Sequence, residues 1–426
     1  MINLSNLQID TDYGRDLYEM SNIFLHKVVW LGPHLSPGLS ASPIYYYFYY
    51  PSLWLTGGDI RGPIYLNITI AIIALALFLY VLYKQNRQIL LTIMTSLLLL
   101  TSPIWYSLAY HPGNGFTYAL VLLLGLTTTI LSKKLWISSL LFGIATAMHP
   151  ASVLSLPLLL AAYINEKANW RQIAVGLLAY VSPWAPIIAF EIITKGFLLR
   201  QWLSHPGLGI GMKILNIDNL QIMATRLGLY SVWLLLVPPI LIAFDKKTNL
   251  WEKLSLAIGF IFFSNLATVP EHYLFGFTVT YLFIVFRWLV NRKYLAMLAI
   301  TVWLIANIFI PREIIVPTRP LWSIEQTVQT IVTSDVGDKK IATLAVLPSG
   351  TSVPQADDYR GLLRMKGFDV VELADHGQAE VLIYVVERPG FDYEHWSTWE
   401  TEQFGPKKLL KVVRSGEVEI VFFTKI

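Results

Sequence analysis

A succession of apolar runs leaves the fewest folds open to this chain. They lie at about 63–83, 89–109, 115–132, 172–193, 227–244, 252–270, 274–290 and 294–311. A bilayer core of ~30 Å takes about 20 helical residues to cross, so each run reads as a membrane span. A further run, 135–164, is interrupted at its middle by His149 and Pro150. It fits either one very long helix or two short ones, 135–149 and 150–164. Charged residues make up 14% of the sequence, against roughly 25% in soluble domains. The net charge of +4 is scattered over short inter-helix loops and offers no surface for nucleic acid. With no cysteine, disulfides, thiolate catalysis, zinc–thiolate sites and iron–sulfur clusters are excluded.

Lys and Arg choose between one helix and two, because short cytoplasmic loops are enriched in positive charge. With two, one side collects Lys84, Arg87, Lys133, Lys134, Lys167, Arg171, Lys246, Lys247, Lys253, Arg287, Arg292 and Lys293. The other side receives "HPGN" (111–114) and "PEHY" (270–273), which lack Lys and Arg. The reading is therefore ten spans between 63 and 311, with residues 1–62 and the tail from about 312 both extracytoplasmic. An N-terminus of that length outside the membrane needs a signal or a preceding helix. The sequence shows neither, so eleven spans are expected in the full-length protein.

The N-terminal segment reads in two pieces. "YGRDLYEMSNIFLHKVV" spaces Leu17, Met20, Ile23, Phe24 and Val28 as an amphipathic helix suited to a membrane interface. The aromatic run from Tyr45 to Trp54 reads as a second interfacial helix, since Tyr and Trp favour the headgroup level. From about Glu325 the pattern becomes that of a small soluble α/β domain, 312–426. "KKIATLAVL", "FDVVEL", "AEVLIYVVE" and "VEIVFFT" read as strands, and "QADDYRGLLRMKG" as a helix ended by Gly367. Asp357, Asp358 and Arg360 on that helix read as a solvated face.

The first external segment resembles that of GT-C glycosyltransferases, in the branch of protein O-mannosyltransferases and lipid A aminoarabinose transferases. The residues that carry the resemblance are Asp12-Tyr13-Gly14-Arg15-Asp16, Gly32-Pro33 and Pro43-Ile44-Tyr45-Tyr46-Tyr47. The match is specific over residues 10–60, general over the membrane region and weak in the C-terminal domain. It implies a polytopic helical fold with its active site at the outer membrane face, transferring a sugar from a polyprenyl-phosphate carrier with inversion at the anomeric carbon. The family's Asp-Glu pair is here Asp12-Tyr13, so the acidic partner would have to be Asp10, Asp16 or nothing.

Such a transfer needs a carboxylate to take the acceptor's proton, cations for the departing phosphate and a groove for the lipid. Asp12 is the expected base, and an N-cap role fits it as well; Asp10 is a second acid, a metal ligand or a loop residue. Arg15 suits either a phosphate or an ion pair with Asp12 or Asp16. His149, at the end of a membrane run, is a functional candidate or a helix cap. The resemblance places a basic residue followed by Tyr near the lipid phosphate, here His272-Tyr273 after Glu271, with His111 a weaker case. The long loop 194–226 carries Lys195, Arg200, His205, Lys213 and Arg226, and suits either gating of a lipid-donor site or interfacial snorkelling. No cofactor is specified. Oxygen-only sites leave little signature, so a divalent metal stays open. The alternatives to a transferase are a secondary transporter and an inactive relative that binds lipid carriers. Against a transporter, the spans hold almost no acids and no internal repeat is visible.

Overall fold

The computed structural model describes residues 11–36, 39–204, 216–267, 270–309, 319–337, 339–347 and 356–426. They group into two compact units. One comprises Trp30–Phe48 and Ile64–Glu313, the other Met1–Val29, Tyr49–Pro63 and Ile314–Ile426. The chain opens with α1 (Thr11–Phe24), the hairpin β1 (His34–Ser36) and β2 (Leu39–Ser40), and α2 (Ile44–Leu55).

The membrane unit follows the apolar runs. α3 (Arg61–Asn86) is one long helix. The next run is bent by 68° into α4 (Ile89–Thr101) and α5 (Pro103–Tyr110). Pro103 lacks an N–H and pushes Ser102 into extended backbone, so the helix stops and restarts there. α6 (Asn114–Leu131) follows, then α7 (Leu135–Met148) and α8 (Leu156–Asn165). His149 between them is extended, and Pro150 opens a 3₁₀ turn, Pro150–Ser155, that leads into α8. Residues 135–164 are thus two helices and not one, each shorter than the helices long enough to cross a membrane.

α9 (Trp170–Val181) runs on into α10 (Ala185–Ile193), the pair together being long enough to span. The expected loop 194–226 contains α11 (Phe197–Ser204) and α12 (Ile217–Leu227). The expected span 227–244 starts too early. α12 ends at Gly228, whose φ of 74° suits a residue without a Cβ. The chain then turns by 92° into α13 (Val232–Phe244). α14 (Leu250–Ser264), α15 (Phe275–Val290) and α16 (Lys293–Phe309) complete the unit. α15 is its central helix, buried along nearly its whole length.

At one end of α15 the ends of α3, α6, α8 and α14 converge around a cavity of about 730 Å³. Gln85, Glu166, Lys247, Glu252, Arg287 and Arg292 are among its lining residues. The Arg287–Glu252 pair (2.7 Å) and the Arg292–Asp245 pair tie its walls together. These ends carry the basic loops that the two-helix reading assigned to one side.

The second unit adds α17 (Leu321–Val332), β3 (Ile341–Val346), α18 (Asp357–Met365), β4 (Val381–Val386), α19 (Trp399–Phe404), β5 (Lys407–Ser415) and β6 (Val418–Lys425). The sheet order is β3-β4-β6-β5, with β3 and β4 parallel and the other pairs antiparallel. β3 and β4 are buried throughout, as continuous apolar runs should be in a parallel pair. One sheet face packs Leu344, Leu382, Tyr384, Val421 and Phe423 against Phe404 and Trp396. "FDVVEL" is not a strand: only Val370 bridges to Ile341 beside β3. β5, unexpected from a sequence dense in Lys, is an edge strand, where charge is favoured.

Of the expected amphipathic stripe, Leu17, Met20 and Ile23 are covered by protein, Phe24 is half-buried, and Val28 lies past the end of α1 and is exposed. Leu17 and Met20 are fully buried and Ile23 nearly so, with α18 packed against the helix. The approach is close because both helices present a glycine. A Cβ on Gly14 would stand 3.1 Å from the Asp358 Cβ, and one on Gly361 would stand 3.0 Å from the Tyr18 nitrogen. Tyr18 lies between two guanidinium groups one helical turn apart, Arg360 at 5.1 Å and Arg364 at 4.3 Å from its ring centre. The expected solvated face of α18 is therefore wrong for two of its three residues: Asp358 is 4% exposed and Arg360 2%.

Candidate active site

The acidic motif lies on α1. Arg15 donates from Nε and Nη2 to one Asp16 oxygen (3.2 and 2.9 Å) and from Nη1 to Asp12 (3.0 Å). Asp16 is fully buried, whereas the Asp12 side chain is 62% exposed. The guanidinium is thus anchored from below and leans on an open carboxylate. Tyr13, where the family resemblance calls for an acid, is buried and donates its hydroxyl to the Ile60 carbonyl (2.8 Å). Asp10 lies outside the described residues.

Asp12, Gly14 and Arg15 form one wall of a small cavity of about 200 Å³. Arg319, Leu347, Asp357 and Asp358 form the other. The latter group comes from the segment before α17, the end of β3 and the first turn of α18. Arg319 donates to Asp358 (2.6 Å) and forks onto Glu387 (2.8 Å), which also accepts the Tyr359 hydroxyl (2.8 Å). Burial works against the Arg319 charge, yet Asp358 and Glu387 outweigh it and hold the guanidinium above its ordinary range. Asp357, half-buried, accepts from Arg360 Nη2 (2.5 Å). Burial pushes the Asp357 carboxyl up, with Arg360 and then Arg15 pulling it partly back.

In the membrane unit, four of the expected residues meet at the two turns that lack Lys and Arg. His149 stacks on Tyr118 at 4.5 Å, meets Tyr273 edge-on at 4.5 Å and lies 6.2 Å from His272. His111 joins through Phe116, whose ring is 5.0 Å from His111 and 6.2 Å from His272. Tyr118 fixes the turn before α15: its oxygen accepts the Gly276 N–H (2.7 Å) and its hydroxyl donates to the His272 carbonyl (3.1 Å). His149 is fully buried and caps the 3₁₀ turn, Nδ1 accepting the Ala151 N–H (3.2 Å). Its Nε2 has no hydrogen-bond partner among the described residues. The Pro–x–Tyr–Tyr–Tyr run reaches the same region, for the Tyr45 hydroxyl donates to the Pro112 carbonyl and the Ser42 N–H to Ala147 (2.9 Å).

Arg226, read only as one of several loop cations, reaches the 270–273 turn and forks onto Glu271 with two 2.5 Å bonds. Arg200, in α11, serves the end of the preceding helix α10, donating to the carbonyls of Lys195 and Thr194. His205 and Lys213 lie outside the described residues. Sequence reasoning missed Arg319, Asp357 and Glu387, which are far apart in the chain and meet only once the sheet has formed. Among the described residues no group of three or more His, Asp or Glu side chains is arranged to hold a metal ion.

No protein-family model matches the chain, and no curated protein matches it in sequence. Its fold matches solved structures over nearly the whole length. ArnT from Cupriavidus metallidurans bound to undecaprenyl phosphate superposes with a TM-score of 0.59 at 11% identity, covering 98% of this chain and 94% of that one. ArnT in the apo state gives 0.52 at 12% identity, covering 99% and 94%. The likeness is one of fold: a polytopic helical membrane protein with a small C-terminal sheet domain.

Proposed function

We propose that the chain is an inverting glycosyltransferase of the GT-C type that moves a sugar from a polyprenyl-phosphate carrier to an acceptor at the outer membrane face. The observation that carries this reading is a fold shared almost end to end with a protein bound to undecaprenyl phosphate. Within that fold, the stretch resembling the family's acidic motif lines a small cavity together with Arg319, Asp357 and Asp358.

Asp12 is assigned as the base. Its exposed carboxylate can reach an acceptor hydroxyl, and Arg15 holds it by a single bond. A phosphate leaves readily if its charge is met by cations. Arg15 is the cation beside Asp12. In the membrane unit, the turn with His272 and Tyr273, together with Arg226, offers donors for the phosphate of the carrier lipid. His149 is assigned to positioning that turn, through its contact with Tyr273. The neighbour's bound lipid makes undecaprenyl phosphate the first carrier to test, and the branch nearest the aminoarabinose transferases the first source of donors.

The experiment is Asp12→Asn in the full chain, reconstituted with a panel of labelled undecaprenyl-phosphate sugars and a membrane extract as acceptor source. Transfer should fall by at least 100-fold, the scale of losing a general base. Transfer at the wild-type rate would refute the assignment.

A further inference from the structure

The cavity beside Asp12 has a second carboxylate whose task the transfer reaction leaves open. Tyr13, next to the proposed base, faces away and is spent on the Ile60 carbonyl. Of the acids that line the cavity, Asp358 is consumed by Arg319 and buried. Asp12 and Asp357 keep accessible carboxylates, with side chains 62% and 33% exposed. Asp357 stands in the first turn of α18, beside the carboxyl end of β3, where parallel α/β sheets commonly bind ligands. It is also held rigidly. Arg360 grips one oxygen from behind, is 2% exposed, and its Nε and Nη1 have no hydrogen-bond partner among the described residues. Tyr18 under its guanidinium fixes that arm in turn. At about 200 Å³ the space is below that of drug-sized sites and suits a single polar group rather than a lipid.

We propose that Asp357, supplied by the C-terminal part of the chain, is the second carboxylate of the active site and accepts a hydrogen bond from a neighbouring O–H or N–H of the acceptor while Asp12 removes the proton of the attacking hydroxyl. The acceptor oxygen then bonds to the anomeric carbon, the bond from that carbon to the phosphate oxygen breaks with its electron pair, and the proton stays on Asp12. A phosphate leaving group needs no acid, so the second carboxylate is free to orient the nucleophile and to face the positive charge that develops on the sugar. This inference rests on the glycosyltransferase reading. It adds that the acceptor site is built jointly by α1 and α18.

The test uses the full chain in lipid nanodiscs, the undecaprenyl-phosphate sugar of the panel that turns over fastest, and membrane extract titrated by dilution. Asp357→Asn should lower kcat/KM for the extract on the order of 10- to 100-fold, the scale of a lost bond to a charged group. Undecaprenyl phosphate affinity, read by native mass spectrometry, should stay at the wild-type value, and Asp357→Glu should fall in between. If the Asn variant does not fold, the Glu variant carries the test by the same two readouts. An inactive Asp12→Asn beside a fully active Asp357→Asn, or a fully active Glu variant, overturns this inference and leaves the glycosyltransferase reading standing. Equal losses of lipid affinity and transfer overturn it too, by making Asp357 a general support. An active Asp12→Asn, or a wild type that turns over no donor, overturns both.

Discussion

Arg319→Met is the most demanding test of how the second unit is held together. The wild-type guanidinium sits between Asp358 and Glu387, at 2.6 and 2.8 Å, with all three side chains less than a tenth exposed. Met roughly preserves the packing volume but strands two carboxylates in a space that water scarcely enters. Breaking a buried pair by removing one partner costs about 3–5 kcal/mol, most of it the charge left behind. Glu387 closes the end of β4 through its N–H to the Val346 carbonyl (2.9 Å), so the loss should appear as opening of that strand. Hydrogen exchange of the β4 amides 381–386 in the full chain should accelerate on the order of 100- to 1,000-fold. The triple variant Arg319→Met/Asp358→Asn/Glu387→Gln removes all three charges and should recover most of that. A single variant whose β4 exchange stays within about fivefold of wild type would mean that the triad is solvated, and the account of this unit would fail.

Two further outcomes follow from the same unit. Burial, helped by the Arg360 guanidinium, lowers the His376 imidazole below its ordinary range. The unfolded chain therefore takes up that proton first, near pH 6.5, and stability should fall as pH drops through this value, by at most about 1.4 kcal/mol per pH unit. Urea unfolding of the full chain from pH 8 to 5, beside a flatter His376→Gln variant, reads this; a variant as steep as wild type refutes it. Gly361→Val places a branched side chain where a single Cβ already stands 3.0 Å from the Tyr18 nitrogen. It should free the amides of residues 15–24 to exchange at least tenfold faster, and unchanged protection would show that α1 does not depend on α18.

The membrane fold was legible because its signals are local: run length, the break at His149-Pro150 and the basic loops are all read within about 30 residues. Bends were harder. The 92° turn after Gly228 joins α12, which carries Asp218, Asn219 and Arg226, to the apolar α13, so the hydropathy marks the boundary but not the angle. In the soluble unit the continuous apolar strands β3 and β4 announced themselves, whereas β5 did not, since most of its side chains are exposed and its sequence is dense in Lys. The motif helix was visible and its partner was not. Leu17 and Met20 say that something covers them; nothing in the sequence says it is a helix some 340 residues downstream. For the same reason Asp358 and Arg360, charged and in a helix, read as solvated until α1 was laid across them.

The sheet order β3-β4-β6-β5 has a consequence for biosynthesis. β6, the last strand of the sequence, fills the gap between β4 and β5, so the sheet stays split until residue 425 has left the ribosome. α1 is made some 330 residues ahead of α18, and its stripe waits for that helix through the whole of the interval. During that interval the nearest apolar phase is the bilayer surface, for which an amphipathic helix is already suited. A segment that ends as a wall of the site would then begin as a passenger on the membrane, and a ribosome stalled early would release a chain with no closed cavity around Asp12.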